Sequence, residues 1–355
     1  RTASGLQLPP DEALHLARGL KARAYALGFD LAGIARLGPA ESARVYDEWL
    51  ARGMHGAMGY LSRGAEKRRD TRLPFPGAVS ALVVAMEYGG REPAGPVARY
   101  ARGDDYHDIM VERLRELQAW LGNRLGEPVA GKAYADTGPI LERELAQKAG
   151  LGWFGKNTCL INPSVGSFTF LGSLLVALEL PHDEPFQADR CGTCTRCLEA
   201  CPTGAIPGPR ELDATRCISY LTIELKGAIP ELMRELIGDK VYGCDICQEV
   251  CPWNVSFARD LKEPAYAPRE AILERDARAL ARELLQLSQE EFSAAFRKSP
   301  MKRAKLRGLK RNAAVVLGNV GTPDDVPALQ RALEDPEPLV REHAAWALGR
   351  LETMR

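Results

Sequence analysis

The sequence has no surplus of charge of either sign, since Lys+Arg and Asp+Glu number 47 each in 355 residues. No global field therefore draws the chain to nucleic acid or membrane. It has no run of roughly 18 apolar residues, which argues against a transmembrane helix. The opening stretch, Arg1 to Pro10, shows neither an apolar h-region nor a twin-arginine export signal, so a cytoplasmic protein is expected. No G-x-G-x-x-G stands between a strand and a helix and no P-loop occurs, which removes the common nucleotide-binding classes. What remains is ordinary in bulk: 45% hydrophobic and 26% charged residues suit a soluble globular chain with a real core. At roughly 100–200 residues per domain the length suggests two or three domains.

The pattern along the chain divides into three. Residues 12–28 carry apolar residues at helical spacing and stop at Gly28; Phe29–Ala35 and Ala81–Met86 have strand length. Asp108–Leu125 reads as an amphipathic helix and Pro139–Gly150 as a shorter one. Phe168–Leu180 reads as two β-rich pieces broken at Gly172. Residues 1–185 are thus expected to form one mixed helix-and-strand domain. Residues 186–265 are punctuated by Cys, Pro and Gly, with too little pattern for an apolar core of their own, so they would need metal to fold. Residues 266–355 are helical again. There Asn312-Ala-Ala-Val-Val-Leu-Gly318 returns as His343-Ala-Ala-Trp-Ala-Leu-Gly349, 31 residues on, around a Thr322–Leu333 turn and helix. Such pairs resemble HEAT repeats, with a plain helical hairpin as the alternative.

The cysteines are the unusual feature. Eight of nine fall between Cys191 and Cys251, and the ninth is Cys159. The run Cys191-x2-Cys194-x2-Cys197-x3-Cys201-Pro202 has the spacing of bacterial ferredoxins, whose fourth cysteine serves the other cluster. A second copy, Cys244-x2-Cys247-x3-Cys251-Pro252, lacks its first cysteine because Val241 stands there, which leaves Cys217 to complete the set. Crossed ligation then gives one [4Fe-4S] cluster to Cys191, Cys194, Cys197 and Cys251, and the other to Cys201, Cys217, Cys244 and Cys247. Zinc is the competing reading, since paired Cys-x2-Cys also builds zinc ribbons. A radical-SAM site would need Cys-x3-Cys-x2-Cys, which is absent. Residues alone carry the argument to a two-cluster electron-transfer protein.

Several further runs resemble the epoxyqueuosine reductase family, whose members act on tRNA with cobalamin. They are Leu27-Gly-Phe-Asp-Leu-Ala-Gly-Ile-Ala35, Met58-Gly-Tyr-Leu61, Pro76-Gly-Ala78, Arg99-Tyr-Ala-Arg-Gly-Asp-Asp-Tyr-His107, Asp136-Thr-Gly-Pro-Ile-Leu-Glu-Arg143 and Gly152-Trp-Phe-Gly-Lys-Asn157. The cysteine segment and helical tail follow in the family's order. The resemblance implies an α+β chain: an N-terminal α/β cobalamin-binding domain, a ferredoxin-like two-cluster domain and a C-terminal HEAT-like tRNA-binding arm. It implies reduction of the epoxide of epoxyqueuosine, at the anticodon wobble position, to queuosine. The cobalamin motif D-x-H-x-x-G fails here, because Asp105-Tyr-His107-Asp-Ile-Met110 ends in Met; that agrees with a cobalt taking no histidine from the motif.

On the same resemblance Asp136 is the general acid for the departing oxygen, with a simple turn before a helix as the alternative. Tyr106 and His107 are candidates for the same pocket, to polarise the epoxide or hold the ribose. Arg143 is a candidate for the nucleotide or the corrin carboxamides, and Gly155, Lys156 and Asn157 for the corrin. Cys159 is expected to pack in a core nearby. Arg297–Arg311 holds eight Lys/Arg and no acid, which suits phosphate contacts along a tRNA stem. A monomer served by an unidentified low-potential electron donor is expected, with no membrane partner. A reductive dehalogenase-like reductase and a non-catalytic electron carrier remain as alternatives.

Overall fold

The computed structural model describes residues 7–353; the first six, part of the stretch read for an export signal, and the last two lie outside the described residues. The chain forms two compact units. The first comprises the chain as far as Gly90, Tyr106–Cys194 and Pro252–Glu263; the second comprises Arg91–Asp105, Thr195–Cys251 and the chain from Pro264 onward.

The first unit is built on strands β1 (Leu31–Arg36), β2 (Ser80–Glu87), β3 (Gly131–Tyr134), β4 (Trp153–Phe154), β5 (Leu160–Ile161) and β6 (Thr169–Val176). Among the described residues the main sheet has the order β1-β2-β6-β3, and β4 and β5 pair as a separate hairpin. Every pairing in the main sheet is antiparallel, so this part is α+β, in line with its residue pattern, and not the α/β domain that the resemblance implied. All eight residues of β2 are buried, as a strand covered on both faces must be.

The Pro10–Ala26 helix stops where expected, with Gly28 at φ +91°. The Tyr106–Leu125 helix begins two residues earlier than its apolar period suggests, which puts Tyr106 and His107 in its first turn. Gly172 does not break its strand. A Cβ there would come within 2.9 Å of Met110 Cε and 3.1 Å of Leu114 Cδ1, so the glycine lets that helix lie against a continuous β6. The opposite face packs Ala81, Val83, Ala85 and Leu175 against Ile140, Leu145 and Ala146 from the Glu142–Lys148 helix and its entry.

The second unit has one core shared by the cysteine-bearing segment and the helices. Ile223, Val241 and Tyr242 join Leu280, Phe296, Leu309, Val316, Ala344 and Leu351. The two repeated runs lie on the Lys305–Val320 and Pro338–Thr353 helices, with Val326–Ala332 between them. Asn312, which opens the first run, donates to the carbonyls of Thr222 and Val241 at 2.7 and 2.9 Å. Arg311, 1% exposed, donates to the carbonyls of Leu221, Leu225 and Gly227. A segment too poor in apolar pattern to fold alone borrows a helical core. That is why the observed division is not three consecutive stretches.

Candidate active site

In the first unit β3 ends at Tyr134, and a turn leads to the Glu142–Lys148 helix. Asp136 occupies this turn at φ +58°, a left-handed conformation that aspartate tolerates better than most side chains. Its side chain is 68% exposed. Tyr106 donates its hydroxyl to Asp136 Oδ2 at 2.9 Å, and His107 Nε2 lies 3.9 Å from the same oxygen. The Tyr106 ring stacks on Phe170, centroids 4.0 Å apart at 7°, and on His107 at 4.1 Å. Stacking fixes the phenol, so its hydroxyl is aimed in one direction.

Behind the turn, Glu142 Oε1 accepts the backbone N–H of Asp136 at 2.8 Å. Burial first, then the charge of Asp136, pushes Glu142 up to about 8, with Arg143 and Arg68 pulling the other way. Arg68 is buried, and its Nη1 has no hydrogen-bond partner among the described residues.

Three of the residues expected from sequence, Tyr106, His107 and Asp136, are thus brought together, with Arg143 exposed one residue beyond Glu142. Gly155, Lys156 and Asn157 fall in the β4–β5 turn. Lys156 Nζ donates to the carbonyls of Gly192 and Cys194 at 2.6 and 3.0 Å, bracing the first cysteine loop. Asn157 is buried and accepts the Cys159 N–H, while a Cβ on Gly155 would meet Ile161 Cδ1 at 2.4 Å. Cys159 is half-buried. Trp153, which lies in the Gly152–Asn157 run but has no role from sequence, places its indole N–H 3.4 Å from Cys191 Sγ.

Cys201, Cys217, Cys244 and Cys247 all belong to the second unit. Burial raises the Cys217 thiol, and Cys201 raises it further; burial and Cys217 push Cys244 up to about 12. These three sulfurs therefore lie within electrostatic reach of one another through Cys217. Backbone N–H groups are aimed at them: Ala205 at Cys201 (3.3 Å), Ser219 and Tyr220 at Cys217, Ile246 at Cys244. Buried thiols ionise when a metal compensates the charge, and amide donors to sulfur are the outer shell that ligating thiolates need. The donor type and its amide shell fit an iron–sulfur cluster, while among the described residues no three such groups are gathered closely enough to hold a metal ion as they stand. Between Cys244 and Cys247, the buried Asp245 accepts Arg99 N and Nη1 at 2.9 and 3.0 Å, and Arg99 also pairs with Glu249 at 2.8 Å. Arg99, Glu142 and Arg68 have no distinguishing spacing. Glu142 and Arg99 do lie inside two of the runs that resemble the family.

The basic stretch is only partly a surface. Arg311 is buried as described, Lys310 pairs with Asp335, and Arg303 with Glu224. Arg297, Lys298, Lys302, Lys305 and Arg307 are exposed. The stretch is therefore not one continuous face of eight free cations.

Thiols in ferredoxin spacing, in a chain that also carries a carboxylate site on an antiparallel sheet, define an iron–sulfur oxidoreductase. Comparison with known proteins agrees. Residues 190–254 match the family described as a 4Fe-4S double cluster binding domain, 68–137 match epoxyqueuosine reductase QueG, and 303–355 match HEAT repeats. Epoxyqueuosine reductase of Pseudomonas aeruginosa is 42% identical over 96% of this chain and 96% of its own length. That of Escherichia coli is 39% identical over 94% and 89%. A solved epoxyqueuosine reductase from Bacillus subtilis, described with its catalytic aspartate loop swung out of the active site, superposes with a TM-score of 0.84 at 32% identity, covering 95% of this chain and 90% of that one. Another, with an epoxyqueuosine-modified tRNA-Tyr stem loop, gives 0.82 at 32% identity over the same shares. The chain belongs to the epoxyqueuosine reductase family, and its activity is epoxyqueuosine reduction. The dehalogenase-like and non-catalytic readings give way. No helix among the described residues is long and apolar enough to cross a membrane.

Proposed function

We propose that this chain reduces epoxyqueuosine to queuosine in tRNA with Asp136 as the proton donor to the epoxide oxygen. The observation that carries the reading is the Asp136 carboxyl, exposed to a substrate yet fixed by Tyr106 at 2.9 Å. Opening the epoxide to an alkene and water takes two electrons and two protons. When bound, two [4Fe-4S] clusters and a cobalamin supply the electrons. Cys191, Cys194, Cys197 and Cys251 hold one cluster and Cys201, Cys217, Cys244 and Cys247 the other, an assignment resting on spacing and, for the second, on the sulfurs' mutual field.

The residues near Asp136 fit a cofactor rimmed with carboxamides on one point: Arg68 carries a buried N–H that lacks an acceptor. Arg143 is exposed beside it and would take a second amide or a phosphate. The Tyr106 hydroxyl orients the Asp136 carboxyl by holding Oδ2, which leaves the other oxygen to carry the proton. His107 stands close enough to replenish that proton from solvent.

The relative solved with a tRNA stem loop supports tRNA as substrate here. A wobble base would have to splay out of the loop to bring its epoxide to Asp136. The exposed cations Arg297, Lys298, Lys302, Lys305 and Arg307 are the phosphate contacts. The protein then works in the cytoplasm as a monomer, fed by a low-potential donor, with the Cys159 thiol as a packing group.

The test is anaerobic reconstitution with iron, sulfide and cobalamin, addition of reductant and epoxyqueuosine-tRNA, and mass spectrometry of the released nucleosides. Queuosine is expected. Intact clusters and bound corrin with no conversion would sink the proposal.

A further inference from the structure

We propose that Glu142 is the positioning residue of the Asp136 turn, its carboxyl anchoring the aspartate backbone so that the side chain points at the substrate's oxygen. The inference rests on Asp136 being the proton donor. Even for aspartate a left-handed φ is a minor conformation, and contacts from its surroundings hold it in place. The N–H of Asp136 is held by Glu142 at 2.8 Å, and the side chain by Tyr106 at 2.9 Å. Glu142 opens a helix seated on the sheet through buried Leu145 and Ala146. Its carboxyl is therefore fixed to a rigid element, while the turn it grips ends in an exposed side chain. Gly138 completes the turn by lying on the Tyr134 ring, where a Cβ would come within 2.6 Å of Cγ.

The charged groups around Glu142 are Asp136 in the turn, Arg143 on its own helix and Arg68 on the Ala65–Arg68 helix. Tyr106 and His107 face Asp136 from their own helix. Pushed up to about 8, Glu142 holds its proton at neutral pH and accepts the N–H through Oε1 without bringing a charge to the turn. Above that pH it ionises, and its negative charge opposes the negative charge Asp136 gains on giving up its proton. Glutamine in its place can accept the same N–H and never ionises.

Two variants of the reconstituted enzyme separate anchor from charge, read by amide exchange over residues 135–141 and by turnover of epoxyqueuosine-tRNA across pH. Glu142→Ala is expected to speed exchange of the turn and lower kcat by roughly ten-fold or more, with KM for tRNA within about two-fold. Glu142→Gln is expected to keep wild-type exchange and kcat within about three-fold at neutral pH, and to lack the decline expected of wild type above about pH 8. Wild-type exchange and turnover in Glu142→Ala would overturn the proposal, as would a decline above about pH 8 retained in Glu142→Gln. Should Glu142→Ala fail to fold, the glutamine profile decides alone. Asp136→Asn separates the two ideas. If it turns over normally, the reading of Asp136 fails; if it is inactive while both Glu142 variants match wild type, only the role of Glu142 fails.

Discussion

Asp136 in the first unit and the Cys217 and Cys244 thiols in the second are kept in opposite ways. In the first, the Asp136 carboxyl is 68% exposed and is held by one hydroxyl, with its backbone N–H held by Glu142. In the second, Cys217 and Cys244 are thiols that burial drives away from ionisation. A proton donor must be reached by its substrate, whereas a cluster ligand must be kept from water and takes its ionisation from the metal. Burial is the single variable that sorts the two. It also explains the scaffolds: a strained, accessible turn for the first, and a closed network of amide donors and a buried Arg99–Asp245 pair for the second.

The sharpest way to break the comparison is to remove one group of each kind. Cys217→Ser should cut iron content by about half and abolish turnover, because no spare cysteine stands in that segment. Asp136→Asn should keep full iron content and lower kcat by about 10²–10⁴, measured by queuosine formation. If both variants lost iron, the carboxylate and thiol sites would not be separable. Next in size, Arg99→Met leaves the buried Asp245 without its partner and should destabilise the second unit by about 3–5 kcal/mol in denaturant unfolding.

A smaller effect concerns His343, buried with Nε2 accepting the Ile229 N–H at 3.1 Å and pushed down to about 4, chiefly by burial. The unfolded chain takes up a proton near its ordinary value of 6.5 while the folded one stays neutral. Stability should therefore fall as pH drops from about 6.5 to about 4, by at most about 3 kcal/mol. His343→Gln, which keeps an acceptor for Ile229, should flatten that slope in thermal melts at stepped pH. The smallest effect belongs to the exposed cations. Replacing Lys305 and Arg307 by alanine should weaken tRNA binding evenly, and its log–log salt slope should fall by about one for each phosphate left without its cation.

The cysteine spacing, the helix over Pro10–Ala26 and the repeated helical runs are legible in the sequence because each is local. Ferredoxin spacing lies within eleven residues, and an apolar period or a stop at Gly28 needs no distant partner. Sequence misleads where a residue's meaning depends on what comes against it. Gly172 reads as a break until Met110 and Leu114 are seen against it. Lys156 is a candidate corrin contact from the resemblance, and only the structure shows that it braces the Gly192 and Cys194 carbonyls. Arg311 reads as one more surface cation, yet it is a buried clamp on the carbonyls of Leu221, Leu225 and Gly227.

By itself the sequence determined the chemistry that neighbouring residues can encode: clustered thiols in ferredoxin spacing, a helical repeat and a chain without net charge. Tertiary structure alone decided that Tyr106, Glu142 and Asp136 meet, since they come from a helix start, a second helix start and a turn. It also decided which of the basic residues face solvent. Spacing along a chain specifies ligands that share a loop. It cannot specify groups brought together by a sheet, because their distance is set by packing and not by the number of residues between them.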